Sequence, residues 1–288
     1  MTTTTTGPQP VVDAEPDTAV LLRVDGLRVT RDRDGAELVR GVSYDVASGR
    51  MHALVGESGS GKSVTARASM GLLAPGLAVT GGSVRLHGTE QVGPAGAGFA
   101  GIHGSTVTMV MQNPRTALHP MVAVGRQMDN ILRTHTGLTR RQRRARCLDL
   151  LGSVGLPQPE RVLGSLPSEL SGGMAQRAVI ATALLCEPDL VIADEPTTGL
   201  DPTVARKVLE LIREVQEAHG LGVLLITHDL AVVAHFADTM SVMTAGELVE
   251  EGRTAEVLTR PRAPYTRGLV AASRPWDQGP DETAAVAS

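Results

Sequence analysis

The chain has very few residues of several kinds, and each scarcity excludes a class of protein. Its 288 residues include only two cysteines, and because Cys147 and Cys186 lie far apart, disulfide frameworks and cysteine-ligated metal clusters lack ligands. No apolar run reaches the roughly 18 residues that a membrane-spanning helix needs, and residues 1–10 lack the basic and apolar stretches of a secretion signal. We therefore expect a protein of a reducing cytoplasm that reaches a membrane only through partners.

Positive charge is not in excess either. Lysine and arginine number 27 against 31 acidic residues, so no general field attracts the chain to nucleic acid. One basic cluster stands between positions 140 and 146, and we interpret it as the solvated face of a helix, with no nucleic-acid partner. The cluster comprises Arg140, Arg141, Arg143, Arg144 and Arg146.

What the chain does have is enough apolar sequence to fold. Hydrophobic residues make up 42% of it and charged residues 20%, which is typical of a globular protein with a buried core. Residues 1–18 and 274–288 are rich in threonine, proline, acids and alanine and show no periodicity, so we interpret them as mobile tails. One domain over residues 19–273 remains.

Short apolar runs within that domain predict its architecture. Residues 51–55, 190–193 and 222–226 each end in a polar or glycine-rich turn, as buried strands do. Residues 204–217 carry apolar side chains at helical spacing, so helices are expected to cover a mostly parallel sheet. The pattern predicts an α/β fold.

Two stretches interrupt the alternation of strands and helices. Residues 80–104 alternate apolar residues such as Val84 and Leu86 between glycines, which predicts a small antiparallel β subdomain. Residues 113–170 contain a helix that Thr139 can cap, which predicts a helical insertion between two strands of the main sheet. We place the boundaries of this helical subdomain at about 113–175.

A glycine-rich run follows the first predicted strand directly and opens a helical stretch, as a phosphate-binding P-loop requires. It consists of Gly56, Glu57, Ser58, Gly59, Ser60, Gly61, Lys62 and Ser63. The glycines let successive backbone N–H groups point at phosphate oxygens, and the helix start adds positive charge. We expect Lys62 to reach the β and γ phosphates of a nucleotide and the Ser63 hydroxyl to hold magnesium.

Polar residues end the other two predicted strands, at the edge where α/β sheets place their ligands. Asp194 and Glu195 are adjacent, so one carboxylate can hold the magnesium hydration shell while the other polarises an attacking water. His228 emerges at the same edge, where it can hydrogen-bond a γ phosphate. These residues predict a site that hydrolyses a nucleotide.

A second element, Leu-Ser-Gly-Gly-Met-Ala-Gln-Arg at residues 170–177, resembles the signature of the ATP-binding subunits of ABC transporters. The resemblance implies a P-loop NTPase core. It also implies that Ser171, Gly172, Gly173 and Gln176 bind nucleotide. The Ser171 hydroxyl and the following N–H groups stand where a helix begins, which makes a second anion site apart from the P-loop. In this family two cassettes pair head to tail, so that each signature closes on the ATP of the opposite P-loop.

Two further positions match the same family. Gln112, after the apolar run 107–111, is similar to the glutamine that senses magnesium and couples to the membrane subunits, so we expect it to be both catalytic and a metal ligand. Asp201, in the Gly-Leu-Asp run at 199–201, is similar to the residue that crosses the dimer seam. The resemblance extends over residues 21–272 and implies ATP and Mg²⁺ as cofactors.

Several segments look like the peptide/nickel importer branch of the family, namely residues 56–63 with Glu57, 112–114, 118–120, 194–198 and 264–269. This resemblance implies an ATPase subunit that energises import of peptides, nickel or a related small solute from the cytoplasmic face of the plasma (inner) membrane. Its implied partners are a second, identical or related cassette, two transmembrane permeases and an extracytoplasmic solute-binding protein. Two alternatives stay open: a soluble ABC-type ATPase in DNA repair or translation, and the ATPase of an exporter.

The sequence departs from the family where an aromatic ring usually stacks on adenine. The matching position is Arg31, and the chain has only one Trp, two Tyr and two Phe residues. We hypothesise that Arg31 or Arg33 lays its guanidinium plane over the base, which typically contributes about 0.5–2 kcal/mol. Some relatives carry a cysteine-rich C-terminal extension, and since this chain has none, we expect no metal cluster.

Overall fold

The structure, a computed structural model, describes residues 19–93, 96–99, 101–112 and 114–273. The predicted tails, residues 1–18 and 274–288, lie outside the described residues, as does Asn113 at the predicted start of the helical insertion. None of the helices within the described ranges combines the length and apolarity needed to cross a membrane.

Strands in the described residues divide between two sheets. In chain order they are β1 (Val20–Arg31), β2 (Glu37–Ala47), β3 (Met51–Val55), β4 (Leu77–Leu86), β5 (Thr89–Gly93), β6 (Gly96–Ala97), β7 (Val107–Val110), β8 (Leu190–Asp194), β9 (Gly222–Thr227), β10 (Thr239–Thr244) and β11 (Glu247–Arg253). The smaller sheet is antiparallel, in the order β2-β1-β4-β5-β6. The larger is ordered β11-β10-β3-β9-β8-β7, and only β11 runs antiparallel to its neighbour.

Helices cover the larger sheet and form an insertion. They are α1 (Lys62–Ala68), α2 (Pro114–Ala117), α3 (Val124–His135), α4 (Arg140–Ser153), α5 (Pro159–Gly164), α6 (Gly172–Ala183), α7 (Pro202–His219), α8 (Leu230–Phe236), α9 (Thr254–Thr259) and α10 (Pro264–Ala272). Helices α2 to α6 all lie between β7 and β8, which are neighbours in the sheet. The chain therefore leaves the sheet and returns to the adjacent strand, as predicted.

The centre of the larger sheet is apolar along whole strands. Every residue of β3, β8 and β9 is buried, because a parallel sheet covered on both faces has no solvated side. The predicted strands at 51–55, 190–193 and 222–226 are confirmed, as is the α/β class. The predicted helix at 204–217 is also confirmed as α7, which begins earlier because Asp201 caps it by accepting a hydrogen bond from the Thr203 amide (2.9 Å).

The inserted helices pack through apolar stripes. In α3 the buried residues Val124, Met128 and Leu132 recur every fourth position, so they lie on one face. Helix α4 begins at Thr139, whose side chain and that of Gln142 form a reciprocal capping box. The basic cluster on α4 is largely solvated, as predicted. Three of its members are exposed, and the other two are paired in Arg143–Asp129 (2.6 Å) and Arg146–Glu187 (2.8 Å).

The antiparallel sheet is larger than predicted. The hairpin of β4 and β5 is confirmed, with Val84 and Leu86 buried. The long strands β1 and β2 join it, and Tyr44 in β2 is buried. Alternating apolar and charged residues explain the pairing of β1 with β2, since charged side chains on the outer face form cross-strand ion pairs such as Arg23–Asp45 (2.8 Å).

Candidate functional site

Four neighbouring strands deliver the predicted site residues to one edge of the larger sheet. The P-loop follows β3, Gln112 follows β7, Glu195 follows β8 and His228 follows β9. These strands are parallel, so their carboxyl ends meet at the same edge. The structure therefore brings together residues that are far apart in sequence.

The P-loop depends on glycine where the chain approaches itself closely. Gly56 and Gly61 adopt φ values of 153° and 105°. A Cβ atom at Gly56 would lie 2.0 Å from the Met243 carbonyl oxygen, and one at Gly61 would lie 2.9 Å from that of Leu38. Since real Cβ atoms do not approach that closely, a side chain at either position would displace the loop.

Lys62 is buried inside the loop that it follows. It is 5% exposed, and its ammonium donates to the carbonyl oxygens of Gly56 (2.7 Å) and Glu57 (2.7 Å) and to Ser60 Oγ (3.3 Å). Burial lowers the pKa of the Lys62 ammonium, while nearby carboxylates oppose that shift. The ammonium charge of Lys62 is thus held by hydrogen bonds to uncharged oxygens of the loop itself.

Ser63 and Asp194 meet beside Lys62. The Ser63 hydroxyl donates to Asp194 Oδ1 at 2.9 Å, and Asp194 is 2% exposed. Burial raises the pKa of the Asp194 carboxyl above its usual value, although the bond from Ser63 opposes the rise. A hydroxyl and a carboxylate are the hard oxygen donors that Mg²⁺ prefers, so these two residues fit that cation.

Glu195 has more side-chain partners than any other predicted site residue. Its Oε2 accepts hydrogen bonds from Gln112 Nε2 (2.7 Å) and Thr198 Oγ1 (2.8 Å), and its Oε1 lies 3.2 Å from His228 Nδ1. The side chain of Glu195 is 14% exposed, whereas that of His228 is 59% exposed. The carboxylate is therefore largely buried, and the imidazole beside it is exposed to solvent.

Opposing effects set the charge of Glu195. Burial would raise the pKa of its carboxyl, but the hydrogen bonds from Thr198 and His228 and the attraction of His228 and Lys62 lower it below the usual value. Its backbone is also unusual, with φ at 47°. The Glu195 amide donates to the Ile226 carbonyl of β9 (2.9 Å), and the Thr198 amide closes the turn by donating to the Glu195 carbonyl (3.1 Å). The residue is an ionised acceptor in a fixed position.

The signature element lies on the surface at the start of α6. Ser171 caps that helix by accepting from the Met174 amide (3.3 Å), and both Ser171 and Gly172 are exposed. Gly173 is half-buried beside Leu200 and Val204. The predicted cap is therefore present, and its neighbouring N–H groups are free of helical partners.

Gln176 requires a correction to its predicted place among the binding residues. Its side chain is 1% exposed, and its amide donates to the Pro196 carbonyl at 2.7 Å. The reason is helical phase, because Ala175, Val179 and Gln176 all lie on the face of α6 that turns inward. Gln176 braces the turn after Glu195 and does not face a ligand.

Asp201 and Arg31 lie at the surface, each with a partner in its own turn. Asp201 is exposed and caps α7. The Arg31 guanidinium makes two parallel bonds to Asp34 (both 2.9 Å), which raise its pKa further above the usual value. Arg33 contacts the same carboxylate at 3.5 Å.

Two contacts at the site were not assigned from the sequence. Thr198 bonds Glu195, and a threonine three residues after a strand-end acid is the local signal that could have indicated it. The hydroxyl of Tyr265, in α10, accepts a hydrogen bond from the Glu57 amide of the P-loop (3.2 Å). No spacing rule connects residues so distant in the chain.

Comparisons with known proteins agree with this geometry. The family model described as "ABC transporter" matches residues 39–198. A model described as "AAA domain, putative AbiEii toxin, Type IV TA system" matches the shorter stretch 165–234.

Two curated relatives and one solved structure are similar over most of the chain. "Oligopeptide transport ATP-binding protein OppD" of Lactococcus lactis subsp. cremoris is 47% identical over 229 residues, which is 80% of this chain and 68% of the relative. "Dipeptide transport ATP-binding protein DppD" of Bacillus subtilis is 44% identical over 253 residues, covering 87% and 76%. The structure of cbiO1 from Clostridium perfringens, described as part of the ABC transporter complex cbiONQ, superposes with a TM-score of 0.70 at 25% identity, covering 84% and 91%.

Proposed function

The chain belongs to the ABC transporter family as an ATP-hydrolysing cassette, and from this premise we propose that it energises the import of peptides across a membrane. One observation carries the hydrolytic part of the proposal. Glu195 accepts hydrogen bonds from Gln112 and Thr198 and lies against His228 at the sheet edge that also presents Lys62. Such a carboxylate can align a water molecule for attack on a phosphate.

Each residue at this edge has a distinct task in the proposal. The P-loop residues 56–63 hold the phosphates, with Lys62 exchanging its carbonyl partners for phosphate oxygens. Because its pKa is lowered, Glu195 stays ionised at neutral pH and orients the water more than it deprotonates it. His228, whose exposed side chain lies beside Glu195, donates to the γ phosphate.

Magnesium fits beside Ser63. Ser63 and Asp194 would hold Mg²⁺, which when bound neutralises phosphate charge. Gln112 is the third predicted ligand, and its amide oxygen is available because its bond to Glu195 uses the amide nitrogen.

The exposed signature supports a proposal about assembly. Ser171, Gly172 and Gly173 present a helix start to solvent on the surface of the chain. We place them against the ATP held by a second cassette, identical or related, with Asp201 near the seam. The domain that pairs in this way spans residues 19–273, with the helical subdomain at about 113–175.

Import requires further partners. We propose that the cassette pair docks on two permease chains at the cytoplasmic face of the membrane and that an extracytoplasmic solute-binding protein delivers the peptide. Relatives named for oligopeptide and dipeptide transport support the substrate class. They favour this function over export and over a soluble ATPase of DNA repair or translation.

The hydrolytic role is tested by Glu195→Gln in the assembled transporter. The amide keeps the size of the side chain but removes the charge that orients water, so we expect MgATP affinity within about twofold of wild type and turnover reduced by about 10²-fold or more. Glu160→Gln makes the same chemical change at an exposed position on α5 and should alter neither quantity. Undiminished steady-state hydrolysis by Glu195→Gln would refute the assignment.

We also propose that Arg31 supports the adenine base. Asp34 holds the guanidinium by one edge, which leaves its flat face available. The start of β2, directly after the turn that carries Asp34, lies against the P-loop, since the Leu38 carbonyl is close to Gly61. Arg31→Ala should weaken MgATP binding by about two- to thirtyfold. Arg23→Ala is the matched control, since Arg23 makes the same paired bonds to Asp45. Equal affinities of the two variants would remove Arg31 from the site.

A further inference from the structure

The Pro-Tyr-Thr motif at 264–266 has no task in the function proposed above, yet it reaches the P-loop. The Tyr265 hydroxyl accepts a hydrogen bond from the Glu57 amide at 3.2 Å, across 208 positions of sequence. We propose that Tyr265 is a positioning residue that braces the P-loop for nucleotide binding. This inference rests on the proposed ATP-binding function.

Tyr265 and Lys62 hold one peptide group from its two ends. The peptide between Gly56 and Glu57 presents its carbonyl to the Lys62 ammonium (2.7 Å) and its N–H to Tyr265. Gly56, with φ at 153°, is in a conformation that glycine reaches easily and can also leave. Fixing both polar atoms of the adjoining peptide restricts that freedom. The first turn of the loop is therefore held by Lys62 of the loop itself and by Tyr265 of α10.

The segment that carries Tyr265 is itself anchored to the sheet. The Glu250 carboxylate, on β11, accepts hydrogen bonds from the backbone amides of Arg262 (2.8 Å) and Ala263 (2.9 Å), just before α10 begins. Burial would raise the pKa of the Glu250 carboxyl, but these two bonds lower it, so the anchor is ionised at neutral pH. The anchor sets the start of α10, and with it the position of Tyr265.

The ring of Tyr265 is also held in place by packing. It lies against an apolar cluster whose members include Val55, the last residue of β3, and Leu230 in α8. Val55 directly precedes the P-loop in sequence, and Leu230 follows His228 by two positions. The hydroxyl is therefore presented to Glu57 by a rigid support, which is what a brace requires.

A brace of this kind acts on binding and leaves chemistry unchanged. The loop holds phosphates alike before and during hydrolysis, so loosening it removes interactions that ground state and transition state share. Loss of the hydroxyl should raise KM for MgATP and leave kcat unchanged. A structural role alone would lower the melting temperature without this separation of KM from kcat.

The test compares Tyr265→Phe with wild type, using the full chain for MgATP titration and thermal unfolding and the assembled transporter for KM and kcat. Phenylalanine keeps the ring packing and removes one hydrogen bond, so we expect Kd and KM to rise about two- to tenfold. Thr259→Val is the control, because the Thr259 hydroxyl bonds only within α9 (Ala255 carbonyl, 2.6 Å). Glu250→Gln should raise Kd by a smaller factor, since its side chain still accepts with one oxygen.

The outcomes separate the inference from the function beneath it. If wild type binds MgATP and Tyr265→Phe binds it equally well, the brace is refuted and the proposed function stands. If the loss falls on kcat, or if the melting temperature drops well beyond that of Thr259→Val, Tyr265 is not a binding brace. If wild type itself binds no MgATP, the proposed function and the inference both fail.

Discussion

The P-loop and the signature element both contain glycines, but the atoms around those glycines differ. In the P-loop, a Cβ at Gly56 would collide with the backbone carbonyl of Met243 at 2.0 Å. In the signature element, a Cβ at Gly172 would meet no atom of the described residues within 4 Å. At Gly173 it would make only ordinary van der Waals contacts, at 3.7 Å or more.

This difference distinguishes a site that the chain completes from one that it leaves open. Gly56 and Gly61 are required by atoms already present in the fold, and the bonds of Lys62 and Tyr265 hold the same loop. Nothing within the described chain requires Gly172 to lack a side chain. Its requirement, in the function proposed here, comes from a nucleotide and a second cassette. Three substitutions can break or sharpen this contrast.

The largest effect is expected for Gly56→Ala. The added Cβ overlaps a backbone oxygen that cannot rotate away, so the free energy of unfolding should fall by about 3 kcal/mol and MgATP binding should be lost. Gly59→Ala is the matched control, because Gly59 has a left-handed φ of 83° but no described atom within 4 Å of its Cβ position. That variant should lose only about 1 kcal/mol. Denaturant unfolding measures both, and equal losses would refute the steric account.

A histidine in β3, the strand that leads into the P-loop, should also make the free energy of unfolding depend on pH. His52 in β3 is 2% exposed, lies between Thr239 Oγ1 (2.8 Å) and Ser241 Oγ (3.0 Å), and stacks on Tyr44. Burial lowers the pKa of His52 to about 4. Because the unfolded chain takes up this proton near pH 6.5 and the folded chain does not, stability falls as the pH decreases from about 6.5 towards 4.

The expected loss from this one group is about 2 kcal/mol between pH 7 and pH 5. Denaturant unfolding of wild type and His52→Gln at both values measures it, and the difference between their two pH slopes isolates the imidazole from other titrating groups. Parallel slopes would show that His52 titrates alike in both states. The exposed signature element contributes no comparable dependence, since residues 171–173 carry no ionisable side chain.

The smallest effect on the isolated chain is expected for Gly172→Ala. Its stability and MgATP affinity should match wild type, because the methyl group has open space. In the assembly proposed above the same methyl would face the opposite nucleotide, so ATP hydrolysis should fall by about tenfold, or roughly 1.4 kcal/mol of activation free energy. Gly137→Ala, at a position with equal space, is the control. Wild-type turnover by Gly172→Ala would show that the signature does not contact a partner.

Local sequence patterns were sufficient for the central strands and for most of the site. The strands β3, β8 and β9 are apolar along their whole length, and the polar residues that end them necessarily gather at one edge. The strands β10 and β11 were not predicted. Ser241 interrupts the apolar residues of β10, and β11 has only two apolar residues followed by Glu250 and Glu251. Pairing of β10 with β3, and of β11 with β10, settles patterns that are ambiguous alone.

Side-chain direction and distant contacts were the parts that could not be predicted. Gln176 was assigned to the ligand because it stands in the signature motif, but its place on the inward face of α6 buries it. The bond from Glu57 to Tyr265 joins the P-loop to α10, and only tertiary packing brings these two segments together. Motifs indicate which residue types are present, whereas packing decides which way they point.

The bond from Gln176 to Pro196 has a mechanical consequence. It joins the first turns of α6, the helix that Ser171 caps, to the residue that directly follows Glu195. Ser171 and Gln176 lie at the same end of that helix, so a shift of the exposed helix start would act on the turn that holds Glu195 at its left-handed φ. In the proposed pair of cassettes, contact with Ser171 on the outer surface would thus reach, through a single amide, the residue that orients water in the same chain.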